Sequence, residues 1–294
     1  MNVFDALERS KTYFPKKEAL VFQGAKTSFL DLYHQVSLVS SALKSRYNIQ
    51  RGDRVALFLP NIPEFVLSYF AIVKLGGVVV SLNVMLKRDE VAFILKDSGA
   101  KVLITAMPLL DQVPETIPTL EGVVCVGEPH RPEVVPYREL LTKSSAPVSK
   151  VSLEGDDGAA ILYTSGTTGK PKGVLLTQSN LISNIYATNH HTKMRSDDKL
   201  ICYLPLFHCF GQNFIMNSSV NAGATLILHE RFKPDEILSS IKSNRVSMFF
   251  GVPTVYLHFL EAPNIEEHLA SVRYYFTAAA PMPVEVAHRW QERF

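Results

Sequence analysis

A chain of 294 residues with 30 Lys and Arg against 28 Asp and Glu has a formal net charge of +2, so no broad field of one sign favours nucleic acid or an anionic membrane. Hydrophobic residues at 47% and charged residues at 20% exclude a disordered chain and allow one large domain or two smaller ones around a substantial core. The three cysteines, Cys125, Cys202 and Cys209, form neither a CxxC pair nor a disulfide framework, which suits a reducing cytoplasm.

Near the start, Asp5 and Glu8 stand where a secretory signal needs an apolar run, so none is expected. Residues 19–22 and the Gln23-Gly-Ala-Lys26 turn predict a hairpin. Ser28 with Asp31 resembles a helix cap, and Leu32, Val36, Val39 and Leu43 repeat at helical spacing. Residues 54–59 read as a buried strand, and Asn61 and Pro63 start a helix with Phe65, Val66, Tyr69, Phe70 and Val73 on its apolar side. The stretch 65–86 is the one candidate for a membrane span. Lys74 and Gly76-Gly77 interrupt it, so a helix, a turn and the strand 78–80 are expected instead. A helix over 88–96 and strands over 101–105 and 122–126 follow. Residues 127–157, rich in Pro, Glu, Ser and Lys, hold a short helical piece at 137–141 and read as a crossing between lobes.

The apolar run 159–163 then enters a loop of hydroxyls, glycines and lysines. Thr164, Ser165, Thr167 and Thr168 offer hydroxyls, Gly166, Gly169 and Gly173 let backbone N–H groups approach an anion, and Lys170 and Lys172 add point charge. Thr177 caps an expected helix running to about residue 191. This pattern suits phosphate oxygens. It is not a Walker A loop, because Gly166 and Gly169 stand too close together and Pro171 follows Lys170. Composition alone is equally compatible with a surface loop.

Beyond it, strands over 200–204, 224–228, 246–250 and 271–277 alternate with a helix over 234–244, and 283 onward is helical. The alternation predicts an α/β protein with doubly wound, mainly parallel sheets and helices on both faces, a first lobe over 1–150 and a second over 151–294. Parallel sheets bind ligands beyond the carboxyl ends of their strands. Four such ends carry unusual loops: 164 onward, Pro205-Leu-Phe-His-Cys-Phe-Gly211, Gly251-Val-Pro-Thr-Val-Tyr256 and Ala278-Ala-Ala-Pro-Met-Pro283. Side by side they would make a crevice for a nucleotide and an apolar partner. Separately, His208 reads as a core histidine, Gly251 and Pro253 as a turn, and the alanines as close packing. Cys209 beside His208 has no second ligand pair to make a zinc site.

The run Tyr163-Thr-Ser-Gly-Thr-Thr-Gly-Lys-Pro-Lys-Gly173 resembles the signature of the adenylate-forming superfamily of acyl- and aryl-CoA synthetases, peptide-synthetase adenylation domains and luciferase. Gly52-Asp-Arg-Val-Ala56, Pro60-Asn-Ile-Pro-Glu-Phe65, Lys74-Leu-Gly-Gly77 and Asp97-Ser-Gly-Ala-Lys-Val-Leu103 extend the resemblance over nearly the whole chain. It implies ATP-dependent conversion of a carboxylic acid to an acyl-adenylate, with transfer to the thiol of CoA or of phosphopantetheine on an acyl carrier protein, in the cytoplasm. By the same resemblance, Thr164, Ser165, Gly166, Thr167, Thr168, Gly169, Lys170 and Lys172 hold ATP, with Thr168 near Mg²⁺. Ala278, Ala279, Ala280 and Pro281 lie along the adenine. Phe207, His208, Phe250, Gly251, Val252, Pro253 and Tyr256 line the acyl site, and Lys170, Lys172 and His208 carry the catalytic charge. Fatty acids are the expected substrates and aryl acids the runner-up; a non-catalytic acyl- or nucleotide-binding relative is the other class. The family's Tyr-Gly-x-Thr-Glu segment, ribose-binding aspartate and carboxyl-terminal domain have no match before Phe294, so a partial amino-terminal domain, weak or inactive alone, is expected.

Overall fold

Thirteen strands build two mainly parallel sheets in the computed structural model, which describes residues 2–142, 146–164 and 171–294. In chain order these are β1 (Glu18–Phe22), β2 (Ala25–Ser28), β3 (Arg54–Phe58), β4 (Val78–Ser81), β5 (Val102–Ala106), β6 (Gly122–Val126) and β7 (Val135–Pro136). They continue as β8 (Gly158–Thr164), β9 (Lys172–Thr177), β10 (Lys199–Cys202), β11 (Thr225–Leu228), β12 (Met248–Gly251) and β13 (Tyr274–Thr277). One sheet has the order β7-β6-β5-β3-β4-β8-β9 and the other β13-β12-β10-β11-β1-β2. The hairpins β1–β2 and β8–β9 are antiparallel, and the other neighbours run parallel. The sheets do not divide at residue 150. The early hairpin β1–β2 extends the later sheet, and β8–β9 extends the earlier one.

The helices are α1 (Asp5–Tyr13), α2 (Phe29–Tyr47), α3 (Pro63–Lys74), α4 (Arg88–Ser98), α5 (Gln178–Thr192), α6 (Ser218–Ala222), α7 (Pro234–Asn244), α8 (Pro253–Leu260), α9 (Ile265–Leu269) and α10 (Val284–Gln291). Local chemistry sets their starts. The Ser28 hydroxyl accepts from Asp31 N–H at 3.1 Å, and Thr177 and Asn180 exchange backbone and side-chain bonds in a capping box. Every residue of β4, β5, β11 and β12 is buried, as expected of parallel strands covered on both faces. No described helix is long and apolar enough to cross a membrane.

Three elements differ from the sequence reading. Lys172, read as the end of the loop, opens β9, and it faces Thr164 across the β8–β9 ladder. The expected Gly-Val-Pro bend is the start of α8, with Pro253 in its first turn, where a missing N–H costs nothing. Phe210 and Gly211, expected at the end of the 205–211 loop, instead open a π-helix over Phe210–Asn217 that runs into α6.

Polar side chains join the two sheets beside that π-helix. Gln212 donates to the Ser81 hydroxyl at 2.7 Å, and Ser81 ends β4 opposite Leu162 of β8. Asn217 donates to the Tyr69 hydroxyl at 2.8 Å, while Asn61 donates to Leu204 C=O at 2.9 Å and accepts from Leu206 N–H at 2.8 Å. All four anchoring side chains, Asn61, Tyr69, Gln212 and Asn217, are buried, so these bonds are protected from water and hold the strand ends in register with one another.

Candidate active site

Strands β10, β12 and β13 are neighbours, so their carboxyl ends deliver the 205–211, 251–256 and 278–283 loops to one edge of the sheet. Helix α5 and the π-helix close the other side around a cavity of about 450 Å³. Its apolar wall is Phe210, Phe214 and Phe276 with Leu176, Leu181 and Ala278. Phe214 stacks on Phe276 with ring centroids 4.8 Å apart, Phe210 meets Phe214 edge-on at 5.4 Å, and buried Phe250 backs both Phe214 and Phe276. The polar wall is Asn180 and Asn184 of α5 with Asn213 of the π-helix, and His208, Cys209 and Ala279 complete the lining.

Close backbone approach fixes this shape. A Cβ on Gly211 would lie 2.3 Å from Pro205 C=O, so only glycine lets the π-helix turn back against the end of β10. At Gly251 the space of a side chain is filled by the Tyr203 hydroxyl and the Tyr256 ring. Tyr203 donates to Phe250 C=O at 3.1 Å and Tyr256 to Phe276 C=O at 2.8 Å. Burial pushes both phenols far above their ordinary range, so they stay neutral and act as struts behind the apolar wall.

His208 is exposed, and its Nδ1 accepts from Phe210 N–H at 3.3 Å, leaving Nε2 as the protonated nitrogen of the neutral ring. The Cys209 Sγ stands 3.7 Å from the same Nδ1. That contact raises the imidazole pKa, while the imidazole lowers the pKa of the exposed thiol. Ala279 has φ +71°, a left-handed conformation that strains an alanine and suits a glycine.

Upstream, Arg273 leads into β13 and is held by buried Asp198, which accepts from Arg273 Nε at 2.9 Å, from Nη2 at 2.5 Å, from Ser247 Oγ at 2.7 Å and from Arg195 N–H at 2.8 Å. Burial opposes the Asp198 charge. The bonds from Arg273 and Ser247 more than reverse that, so its pKa lies below the ordinary carboxylate value.

The cavity brings His208, Ala278 and Ala279 together, with Phe250 one layer behind. Gly251, Pro253 and Tyr256 are buried behind the wall, and Tyr256 faces a second hollow beside Trp290. Phe207, Val252, Ala280 and Pro281 do not line the cavity. Thr164 and Lys172 oppose each other at the end of the β8–β9 ladder where the chain leaves β8 and enters β9. Ser165, Gly166, Thr167, Thr168, Gly169 and Lys170 lie outside the described residues. Among the described residues there is no cluster of three or more His, Cys, Asp or Glu side chains that could hold a metal ion, and Thr168, expected near Mg²⁺, lies outside them.

Sequence reasoning missed the asparagines of α5 and the aromatic wall. Asn180 and Asn184 stand four residues apart in a helix already expected, so their shared face was readable. Phe214, Asn213 and Phe276 were not, because the first two belong to the unexpected π-helix and the third to an edge strand with no alternating pattern.

Comparison with known proteins agrees with this architecture. The chain is 29% identical to a long-chain-fatty-acid–CoA ligase of Bacillus subtilis (strain 168), with 97% of this chain and 56% of the relative aligned. It is 32% identical to a feruloyl-CoA synthase of Amycolatopsis sp, over 95% of this chain and 54% of the relative. The chain therefore spans little more than half the length of these curated relatives. Among solved structures, the anthranilate CoA ligase AuaEII in complex with anthranoyl-AMP superposes with a TM-score of 0.92 at 27% identity, covering 100% of this chain and 58% of that one. The N-terminal domain of FACL13 from Mycobacterium tuberculosis superposes at 0.87 with 30% identity, covering 99% and 73%. The model of the AMP-binding enzyme family matches residues 7–294, and with the strand-end cavity, the β8–β9 hairpin and these relatives in agreement, the chain belongs to that family.

Proposed function

We propose that this chain carries the acid- and nucleotide-binding half of an AMP-forming acid–CoA ligase. In that reaction a carboxylate oxygen attacks the α-phosphorus of ATP, pyrophosphate leaves, and the acyl-adenylate passes its acyl group to the thiol of CoA. The observation that carries this reading is the single cavity in which His208, the phenyl wall and the Ala278–Ala279 turn meet, in a chain of this family. The apolar part of the acid would lie on Phe210, Phe214 and Phe276, and the purine against Ala278 and Ala279. Lys170, Lys172 and the hydroxyls from Thr164 onward would neutralise the β- and γ-phosphates, with Mg²⁺ arriving on those phosphates. Attack by a carboxylate requires no protein base, so positioning and charge neutralisation supply the acceleration.

One observation favours an aryl acid over the fatty acid expected from the Gly251-Val-Pro-Thr-Val-Tyr256 run. The rings that line the cavity, Phe210, Phe214 and Phe276, form an aromatic cluster on which a planar acid could pack, whereas Gly251 and Tyr256 are turned into the packing behind it. Calorimetric titration with acyl-sulfamoyl adenosines, uncleavable mimics of acyl-adenylates, separates the two. Tighter binding of benzoyl or cinnamoyl tails than of a decanoyl tail supports the aryl reading, and the reverse order supports the fatty acid. Loss of that tail preference in Phe214→Ala locates the tail. Tail-independent binding would contradict an acyl site here. An acyl carrier protein as the thiol donor is a separate expectation, tested by replacing CoA with a pantetheinylated carrier in a chain of full family length.

A further inference from the structure

The β8–β9 hairpin outruns the sheet that carries it. Pairing of β8 to β4 stops at Leu162, opposite Ser81, whereas β8 stays paired to β9 through Tyr163–Gly173 and Thr164–Lys172. These last two pairs form a two-stranded ribbon at the edge of the sheet, with Thr164, Lys172 and Gly173 exposed. Two strands alone are marginally stable in water, so the place of Thr164 and Lys172 depends on whatever braces the ribbon.

Tyr163 supplies a brace. A Cβ on Gly173 would stand 3.0 Å from Tyr163 Cζ and from Ile161 Cγ2, so the tyrosine ring lies across the facing strand in the space a side chain there would take. Beyond the ring, the Tyr163 hydroxyl donates to Asp97 Oδ2 at 2.6 Å, in the last turn of α4. That turn is itself fixed. Arg54, at the start of β3, donates from Nε to Ser98 C=O at 2.9 Å and from Nη2 to Gly99 C=O at 3.0 Å. Burial, and after it the bond to Asp97, pushes the Tyr163 phenol well above its ordinary pKa, so it remains a hydrogen-bond donor. The ring on β9, the hydroxyl on α4 and the end of α4 on Arg54 make a continuous strut from the ribbon to β3.

We propose that Tyr163 and Asp97 are positioning residues for ATP, holding the ribbon so that Thr164 and Lys172 meet the triphosphate. The proposal rests on the acid–CoA ligase reading and adds to it the residues that set the phosphate contacts without touching the nucleotide. Both residues line a separate hollow and not the cavity of Phe210, Phe214 and Phe276, so the strut should act on ATP and not on the acid.

The test is steady-state pyrophosphate release by a chain of full family length, with ATP and acid varied in turn. Tyr163→Phe keeps the ring on Gly173 and removes the hydroxyl. It should raise the KM for ATP about ten-fold, the effect of losing one charge-assisted hydrogen bond, and leave the KM for the acid within about two-fold. Asp97→Leu should do the same, and Asp97→Asn, which keeps an oxygen to accept from the phenol, should recover most of the loss. Tyr163→Phe combined with Asp97→Leu should be no worse than either single variant, because both remove the same bond. Thermal unfolding checks that the variants are folded. An ATP KM within about two-fold of the parent's in both single variants, an equal rise in the two KM values, or losses that multiply in the double variant overturns the proposal. Parent kinetics separate the two levels. A parent that releases pyrophosphate while its variants keep their ATP KM loses only the strut, whereas a parent that releases none with fatty or aryl acids loses the ligase reading with it.

Discussion

Replacing Asp198 by Asn should loosen the strand that carries one wall of the cavity. The carboxylate is 2% exposed and its partner Arg273 30%, and four bonds converge on it from Arg273, Ser247 and the Arg195 N–H. Arg273 also donates to Lys193 C=O, and β13 begins at the next residue, so the pair ties the approach to α5, β10 and β13 together. Removing one partner of a buried pair costs about 3–5 kcal/mol, and because Arg273 keeps partial access to water the lower figure applies, about 3 kcal/mol. With a urea slope of about 3 kcal/mol/M for a chain of this size, the midpoint should fall by about 1 M. Trp290 is the single tryptophan and packs on Tyr256 and Tyr275, so its fluorescence reports this region during the titration. The sign of the pH dependence is also fixed. A carboxyl with a depressed folded pKa stabilises above its unfolded value of 3.8, and that contribution is lost as the pH falls through the folded pKa. The gap between parent and variant should therefore be full at pH 6 and shrink below pH 3.8. A midpoint shift under about 0.3 M at pH 6, or a gap that widens in acid, would refute the argument.

Other perturbations probe the loops. Ala279→Gly relieves about 1–2 kcal/mol of left-handed strain and loses about 0.5–1 kcal/mol to added freedom of the unfolded chain, for a net gain of about 0.5–1 kcal/mol by urea unfolding. A loss of stability would show that the alanine is not strained there. Cys209→Ala removes the thiol that raises the His208 pKa, so the imidazole should titrate at lower pH in NMR; an unchanged midpoint would dissociate the pair. Lys170→Ala combined with Lys172→Ala, made in a chain of full family length, should slow acid-dependent pyrophosphate release by about 10²-fold or more while leaving the fold intact. Unchanged kinetics would remove both lysines from the phosphate site.

Most strands and long helices were legible because their signals are local. Residues 122–126 are strand and 234–244 helix as expected, the latter because Pro234 opens it and the left-handed Arg245 closes it. The strand-end loops were legible as a set, and the parallel order β13-β12-β10 is why three of them meet. The exchange of hairpins between sheets was not, since β1–β2 and β8–β9 carry no mark of which distant strand they will join. The π-helix escaped because its i→i+5 bonds produce neither a 3.6-residue nor a two-residue pattern, and its polar residues Gln212, Asn213 and Asn217 resemble those of a loop. Their buried bonds become visible only when β4, α3 and α5 are packed around them. Tyr256 shows the same limit from the other side: an aromatic next to a Gly-Pro turn can face a ligand or brace a strand, and here its hydroxyl braces β13.

The central claim is that one cavity seats both the acyl group and the purine of an acyl-adenylate. Diffraction from crystals of the chain soaked with cinnamoyl-sulfamoyl adenosine tests it most directly. The account predicts the aryl tail between Phe210, Phe214 and Phe276, with the purine against Ala278 and Ala279. A ligand seated instead in the hollow of Tyr256 and Trp290, or a tail lying outside the phenyl wall, would contradict it.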